Sequence, residues 1–127
     1  MERHWIVLGA LLAGLGVAFG AFGSHALKTT LTANGRLDTY QTAVQYQMFH
    51  ALALLAVGLL TAHLGSQQLA WAGGLFVVGI LLFSGSLYIL SIFDVRWMGA
   101  ITPLGGVAFL LGWACVMWAA WTGTVVS

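Results

Sequence analysis

Residues 5–22 read WIVLGALLAGLGVAFGAF, with no charge and no proline among them. A helix needs about 20 predominantly apolar residues to cross the hydrocarbon of a bilayer. This run meets that need almost unaided, and it is the first of four. Arg3 in front of it and the small residues near Gly23 and Ser24 imitate a secretory signal. The apolar run is long enough to span, and three more follow, so it reads as a helix kept in the mature chain.

The rest of the composition agrees. Of 127 residues, 61% are hydrophobic and only 6% charged. A soluble domain is about a quarter charged, because its surface must stay wet. The medium around most of this chain is therefore hydrocarbon, in which helices satisfy their own backbone. A formal net charge of +1 is too small to build an electrostatic footprint for nucleic acid or for anionic lipid. Cys115 stands alone, which excludes an intrachain disulfide and suits a small buried thiol.

One transmembrane domain over 1–127 accommodates helices at about 5–27, 39–64, 69–93 and 103–122. Between the first two lies a polar connection with a turn at Asn34-Gly35. Asp38 as N-cap with Gln41 forms a capping box for the second helix. Thr102 as N-cap with Pro103 at the first helical position starts the fourth. Trp71, Trp97, Trp118 and Trp121 fall near helix ends, where amphipathic rings favour the interface. The fold class is all-α: an up-down-up-down four-helix bundle with both termini on one side of the membrane. Lys28, Arg36 and Arg96 lie in loops 1 and 3, against Arg3 and the terminal amine, so counting charge puts those loops in the cytoplasm. Phe22-Gly23-Ser24 echoes Phe83-Ser84-Gly85-Ser86, which chance explains in a chain so rich in small residues.

Three constellations carry the functional question. Gly9, Ala13, Gly16, Gly20 and Gly23 share one face of the first helix, with Gly16 and Gly20 forming a GxxxG element. Such a face lets two backbones approach closely; packing inside the bundle is favoured over self-association. On the second helix Thr39, Ala43, Tyr46, Gln47, His50, Leu54, Val57 and Thr61 share a face, with His50 toward its polar end. Gln41 and Gln45 point the other way. His50 and Gln47 must face protein or water, either as hydrogen-bonded packing or as a ligand, proton or headgroup site. On the third helix Ser84, Tyr88 and Ser91 share a face, with Ser86 behind. An antiparallel bundle gathers His25, Tyr46, Gln47, His50, Ser84, Ser86, Tyr88 and Thr102 toward one membrane surface, leaving Arg3, His4 and His63 at the other.

The segments Gly20-Ala21-Phe22-Gly23-Ser24-His25-Ala26-Leu27, Tyr46-Gln47-Met48-Phe49-His50, Leu82-Phe83-Ser84-Gly85-Ser86-Leu87-Tyr88, Thr102-Pro103-Leu104-Gly105-Gly106 and Gly112-Trp113 resemble, in order and over essentially the whole chain, the YgdD family of small bacterial inner-membrane proteins, which has animal relatives in the small TMEM class. Ser24 departs from the family's usual alanine. The resemblance implies a four-helix protein of the inner membrane, without an established activity. Its members often carry basic residues after the last helix, which implies cytoplasmic termini, opposite to the charge count; this chain ends Thr124-Val125-Val126-Ser127 without them.

Three function classes follow. A structural, accessory or self-assembling membrane protein needs only the bundle and the glycine face; its partners are membrane lipid, a second copy or a larger membrane complex. The alternative is a lipid-, quinone- or small-solute-binding or transport protein using the cluster around His50. Against transport stand four short helices without a buried acid. Haem between His25 and His50, or a soft metal on Met48, His50, Met117 and Cys115, fits by ligand type alone. No cofactor, metal or catalytic residue is expected, since no nucleophile-base pair, paired carboxylate or phosphate loop is visible.

Overall fold

The structure, a computed structural model, describes residues 2–125, Ser24 by its backbone alone; Val126 and Ser127 of the C-terminal segment lie outside the described residues. Among the described residues four helices are long and apolar enough to cross a membrane: Glu2–Gly23, Leu37–Thr61, Gln67–Phe93 and Arg96–Thr122, here spans 1 to 4. At 1.5 Å per residue they are about 33 to 40 Å long, against the ~30 Å hydrocarbon layer. The ends must therefore emerge into the headgroups or tilt.

Span 1 lies along span 2, and span 3 along span 4; span 2 joins the two pairs by packing on span 3. The core at this junction holds Leu54 and Val57 of span 2, Leu69, Phe76 and Ile80 of span 3, and Phe109 of span 4. A two-residue antiparallel bridge, Leu64 opposite Val125 and Gly65 opposite Thr124, ties loop 2 to the end of span 4.

Hydrocarbon supplies no drive to pair apolar helices, so close backbone approach matters here. The four glycines of the span 1 face, Gly9, Gly16, Gly20 and Gly23, all meet span 2. A Cβ on Gly9 would lie 2.8 Å from the Ala51 carbonyl oxygen, and one on Gly20 would lie 3.2 Å from Val44. Gly16 sits under Met48, and Gly23 under the Tyr40 hydroxyl. In the second pair Gly105 abuts the backbone of Phe83, and a Cβ on Gly112 would lie 2.6 Å from the Phe76 ring. Gly14, by contrast, faces open space.

Span 1 ends in a π turn, Phe19–Gly23, and span 3 is interrupted by one, Ile80–Ser84. The echoing segments Phe22-Gly23-Ser24 and Phe83-Ser84-Gly85-Ser86 both fall at these turns. The Tyr40 hydroxyl donates to the Phe19 carbonyl at 2.5 Å, and the Ser86 hydroxyl to the Phe83 carbonyl at 2.9 Å. Each irregular turn thus receives a side-chain donor where intrahelical bonding shifts register.

The helix starts differ from expectation. Span 2 begins at Leu37 after Arg36, with no side-chain cap. Asp38 is already in the first turn, where a carboxylate still complements the helix dipole, so the Asp38–Gln41 box does not form. Span 4 begins as a 3-10 segment, Arg96–Ala100, that runs almost directly into the α-helix at Thr102. Thr102 is therefore helical and no N-cap. The connection at Lys28 is itself helical over Lys28–Ala33, because Leu31 is fully buried and pins it down. Gly35 turns the chain at φ 66°. Asn34 then donates its amide to the carbonyls of Ser91 and Ile92, at 3.0 and 3.2 Å, and so caps span 3. Asp94, in the left-handed region at φ 54°, meets Arg36 at 3.8 Å and links loops 1 and 3.

Gly105→Ala should destabilise the bundle by about 1–3 kcal/mol, because overpacking forces backbone shifts. Gly14→Ala should leave stability close to wild type. Thermal unfolding of both variants in one detergent, followed by circular dichroism, checks the contrast.

Candidate functional site

Gln47 is 2% exposed and uses both ends of its amide. Its Nε2 donates to the Leu12 carbonyl of span 1 at 2.8 Å, and its Oε1 accepts from the Tyr88 hydroxyl of span 3 at 2.6 Å. One side chain on span 2 therefore reaches both neighbours. Burying an amide in hydrocarbon without partners would be costly; with them it sets the axial register of three helices. Tyr88 in turn packs its ring on Phe19 and Tyr40.

His50 is 5% exposed and lies at mid-span, thirteen residues from Leu37 and eleven from Thr61. The sequence reading placed it toward the polar end of the helix; along Leu37–Thr61 it stands close to the middle instead. Its Nδ1 faces the Tyr46 carbonyl at 2.8 Å, and the Trp113 indole N–H of span 4 points at its Nε2 at 3.0 Å. A carbonyl only accepts and an indole only donates. The imidazole is thus the neutral tautomer protonated on Nδ1, with both nitrogens used. Its ring stacks on Phe109 at 3.6 Å between centroids and 11° between planes. Phe76 and Trp113 close the other sides.

Three hydroxyl hydrogen bonds complete the cluster. The Ser84 hydroxyl, fully buried, donates to the Ala43 carbonyl of span 2 at 2.7 Å. Ser86 and Thr102 share a hydrogen bond of 2.6 Å between spans 3 and 4. Ser91 donates to the Tyr88 carbonyl at 3.2 Å within span 3.

Of the eight residues expected together, Gln47, Ser84, Tyr88 and His50 join span 2 to its neighbours, and Ser86 with Thr102 joins span 3 to span 4. His25 does not belong to the cluster: it follows the π turn, beyond the end of span 1, and is exposed. Tyr46 is 38% exposed; its ring lies between Phe83 and His50 at the lipid-facing edge, and its contribution to His50 is its backbone carbonyl. Gln41 and Gln45 are exposed on the far face. Sequence reasoning missed Trp113, Phe109, Tyr40 and Asn34. Trp113 left a trace in the Gly112-Trp113 pair and Asn34 in the Asn34-Gly35 turn, but neither pattern announced the bond that the side chain makes. Among the described residues no group of three His, Cys, Asp or Glu is placed to hold a metal ion. Met48 turns to Gly16 and Met117 is 69% exposed, so the soft-metal set is not assembled around His50.

Residues 19–106 match the family described as "Protein of unknown function (DUF423)". The UPF0382 membrane protein YwdK of Bacillus subtilis (strain 168) is 48% identical over 119 residues, covering 93% of this chain and 96% of the relative. The chain belongs to this family. A UPF0382 membrane protein of Staphylococcus saprophyticus is 48% identical over 111 residues, 87% of this chain and 91% of the relative. The UPF0382 inner membrane protein YgdD of Escherichia coli (strain K12) is 37% identical over 116 residues, 91% of this chain and 88% of the relative. No solved structure matches. The resemblance to the YgdD family is thereby shown, and the protein is a multi-pass membrane protein of a family without assigned function; the names of these relatives carry no enzymatic activity.

Trp113→Phe keeps the ring and removes the donor to His50. It should cost about 1 kcal/mol, in the range measured for hydrogen bonds between membrane helices. Gln47→Leu strands the Leu12 carbonyl and the Tyr88 hydroxyl and should cost more, about 1–3 kcal/mol. Unfolding free energies measured in mixed micelles by SDS titration check both the order and the size.

Proposed function

We propose that this protein is an accessory or structural element of the inner (plasma) membrane, a pre-organised bundle that acts through packing and not through catalysis or carriage. The observation that supports it is that the side chains chemistry would need are engaged inside the fold. Both nitrogens of His50 and both ends of the Gln47 amide are bonded to the bundle's own groups. A catalytic base or a ligand site requires a lone pair or proton that can turn toward a substrate, and these are held by the Tyr46 carbonyl, the Trp113 indole, the Leu12 carbonyl and the Tyr88 hydroxyl. The inner-membrane location is carried over from the name of the Escherichia coli relative. The glycine face of span 1 is consumed by span 2, so association with a second copy or a larger complex has to use another face.

His50→Ala should lower the melting temperature in detergent and reduce function in proportion, whereas His63→Ala, at an exposed position in loop 2, should do neither. The measurement pairs thermal unfolding with recovery of membrane proteins cross-linked to the tagged chain in native membranes. A His50 variant that keeps the wild-type melting temperature yet loses function would make His50 a ligand or proton site and end the packing reading.

A further inference from the structure

A second feature lies apart from the His50 cluster. Between spans 1, 2 and 3, toward loop 1, is a cavity of about 450 Å³, within the usual size of ligand pockets. Span 1 supplies Phe19, Phe22 and Gly23 from its π turn, span 2 supplies Tyr40, and span 3 supplies Tyr88 and Ile92. Ala26 and Leu27 close it toward the membrane surface.

Three observations define what fits. The walls are apolar because both tyrosine hydroxyls are turned away, Tyr40 to the Phe19 carbonyl and Tyr88 to Gln47; only the rings face the space. The wall is shaped by an irregular turn, and π turns recur at functional sites. The surface end is marked by cations: exposed Lys28 is the chain neighbour of the lining residue Leu27, and Arg36 precedes span 2 one turn before Tyr40. Of these, Arg36 is shared with Asp94. A slot that accepts hydrocarbon along its length and offers an ammonium at its mouth matches one kind of molecule already present in the membrane.

We propose that this cavity seats one acyl chain of an anionic phospholipid, with the headgroup phosphate against Lys28. Binding is non-covalent and does not use the Trp113–His50 pair, neither residue of which lines the slot; Tyr88 lines it with its ring while its hydroxyl stays on Gln47. A lysine near the headgroups attracts an anionic lipid by about fivefold over a zwitterionic one.

The test is native mass spectrometry of protein extracted from vesicles of phosphatidylglycerol and phosphatidylcholine in equal parts. Wild type should retain one phosphatidylglycerol, preferred over phosphatidylcholine by about fivefold. Lys28→Gln should keep an adduct but lose the preference. Ala26→Trp, at an exposed lining position, should fill the mouth and remove the adduct while leaving the melting temperature unchanged. Should that variant unfold, Ile92→Trp fills the slot from span 3. An adduct retained undiminished by a folded slot-filling variant would overturn the seat. Equal retention of the two lipids by wild type, or retention of a neutral long-chain molecule or a second protein chain in their place, would overturn the anionic phospholipid as occupant. Loss of the adduct in a folded Ala26→Trp variant with no change in the cross-linked partners would leave the accessory proposal standing and the lipid site supported.

Discussion

The carboxamide of Gln47 is the point on which the arrangement of spans 1, 2 and 3 depends. In water such a group would exchange partners freely; in hydrocarbon it has none except those the protein supplies. Leu12 offers a carbonyl from one side and Tyr88 a hydroxyl from the other. Sliding span 1 or span 3 by a single residue would carry its partner about 1.5 Å along the axis and leave a buried dipole unmatched. Apolar packing tolerates small shifts of that kind far better than a polar pair does. The glycine faces bring helices close, and the amide decides where along their length they stop.

The same logic extends to span 4, which has no helix on its outer side. Its inner side is held by Trp113 to His50, by Thr102 to Ser86, and by Gly105 and Gly112 against span 3. Its outer side carries Leu104, Leu110, Met117 and Trp121, all well exposed. Leu104, Leu110 and Met117 are ordinary lipid-facing side chains, and Trp121 lies one residue from the helix end, where an amphipathic ring suits the interface. The polar bonds are spread along the helix, from Thr102 near one end to Trp113 at the middle, which fixes its rotation as well as its height.

Hydropathy and the scarcity of charge were enough to read four spans and an all-helical class, because both depend only on the medium. The direction of the Gly9–Gly23 face was readable as well, since a stripe of small residues has one use in a membrane. Its partner was not: nothing in span 2 announces that Ala51, Met48 and Val44 complement it. Gln47 and His50 were legible as polar groups that must turn inward, but Trp113 sits in a helix of near-uniform hydropathy where no periodicity singles it out. Tyr40 escaped notice because its role is to serve the Phe19 carbonyl, and a π turn leaves no mark in composition. Asp38 and Thr102 have good capping chemistry, which local rules reward, yet the helices begin at Leu37 and at Thr102 itself.

The π turns at Phe19–Gly23 and Ile80–Ser84 have a consequence for comparing this chain with others. A π turn closes one residue later than an α turn, so everything beyond it is rotated relative to an uninterrupted helix. A homologue that lacked the extra residue would present different side chains to its neighbours past Gly23 or Ser84 unless its sequence were offset by one. Pairing the two chains correctly would then require a single-residue gap inside a transmembrane helix, where gaps are ordinarily least expected.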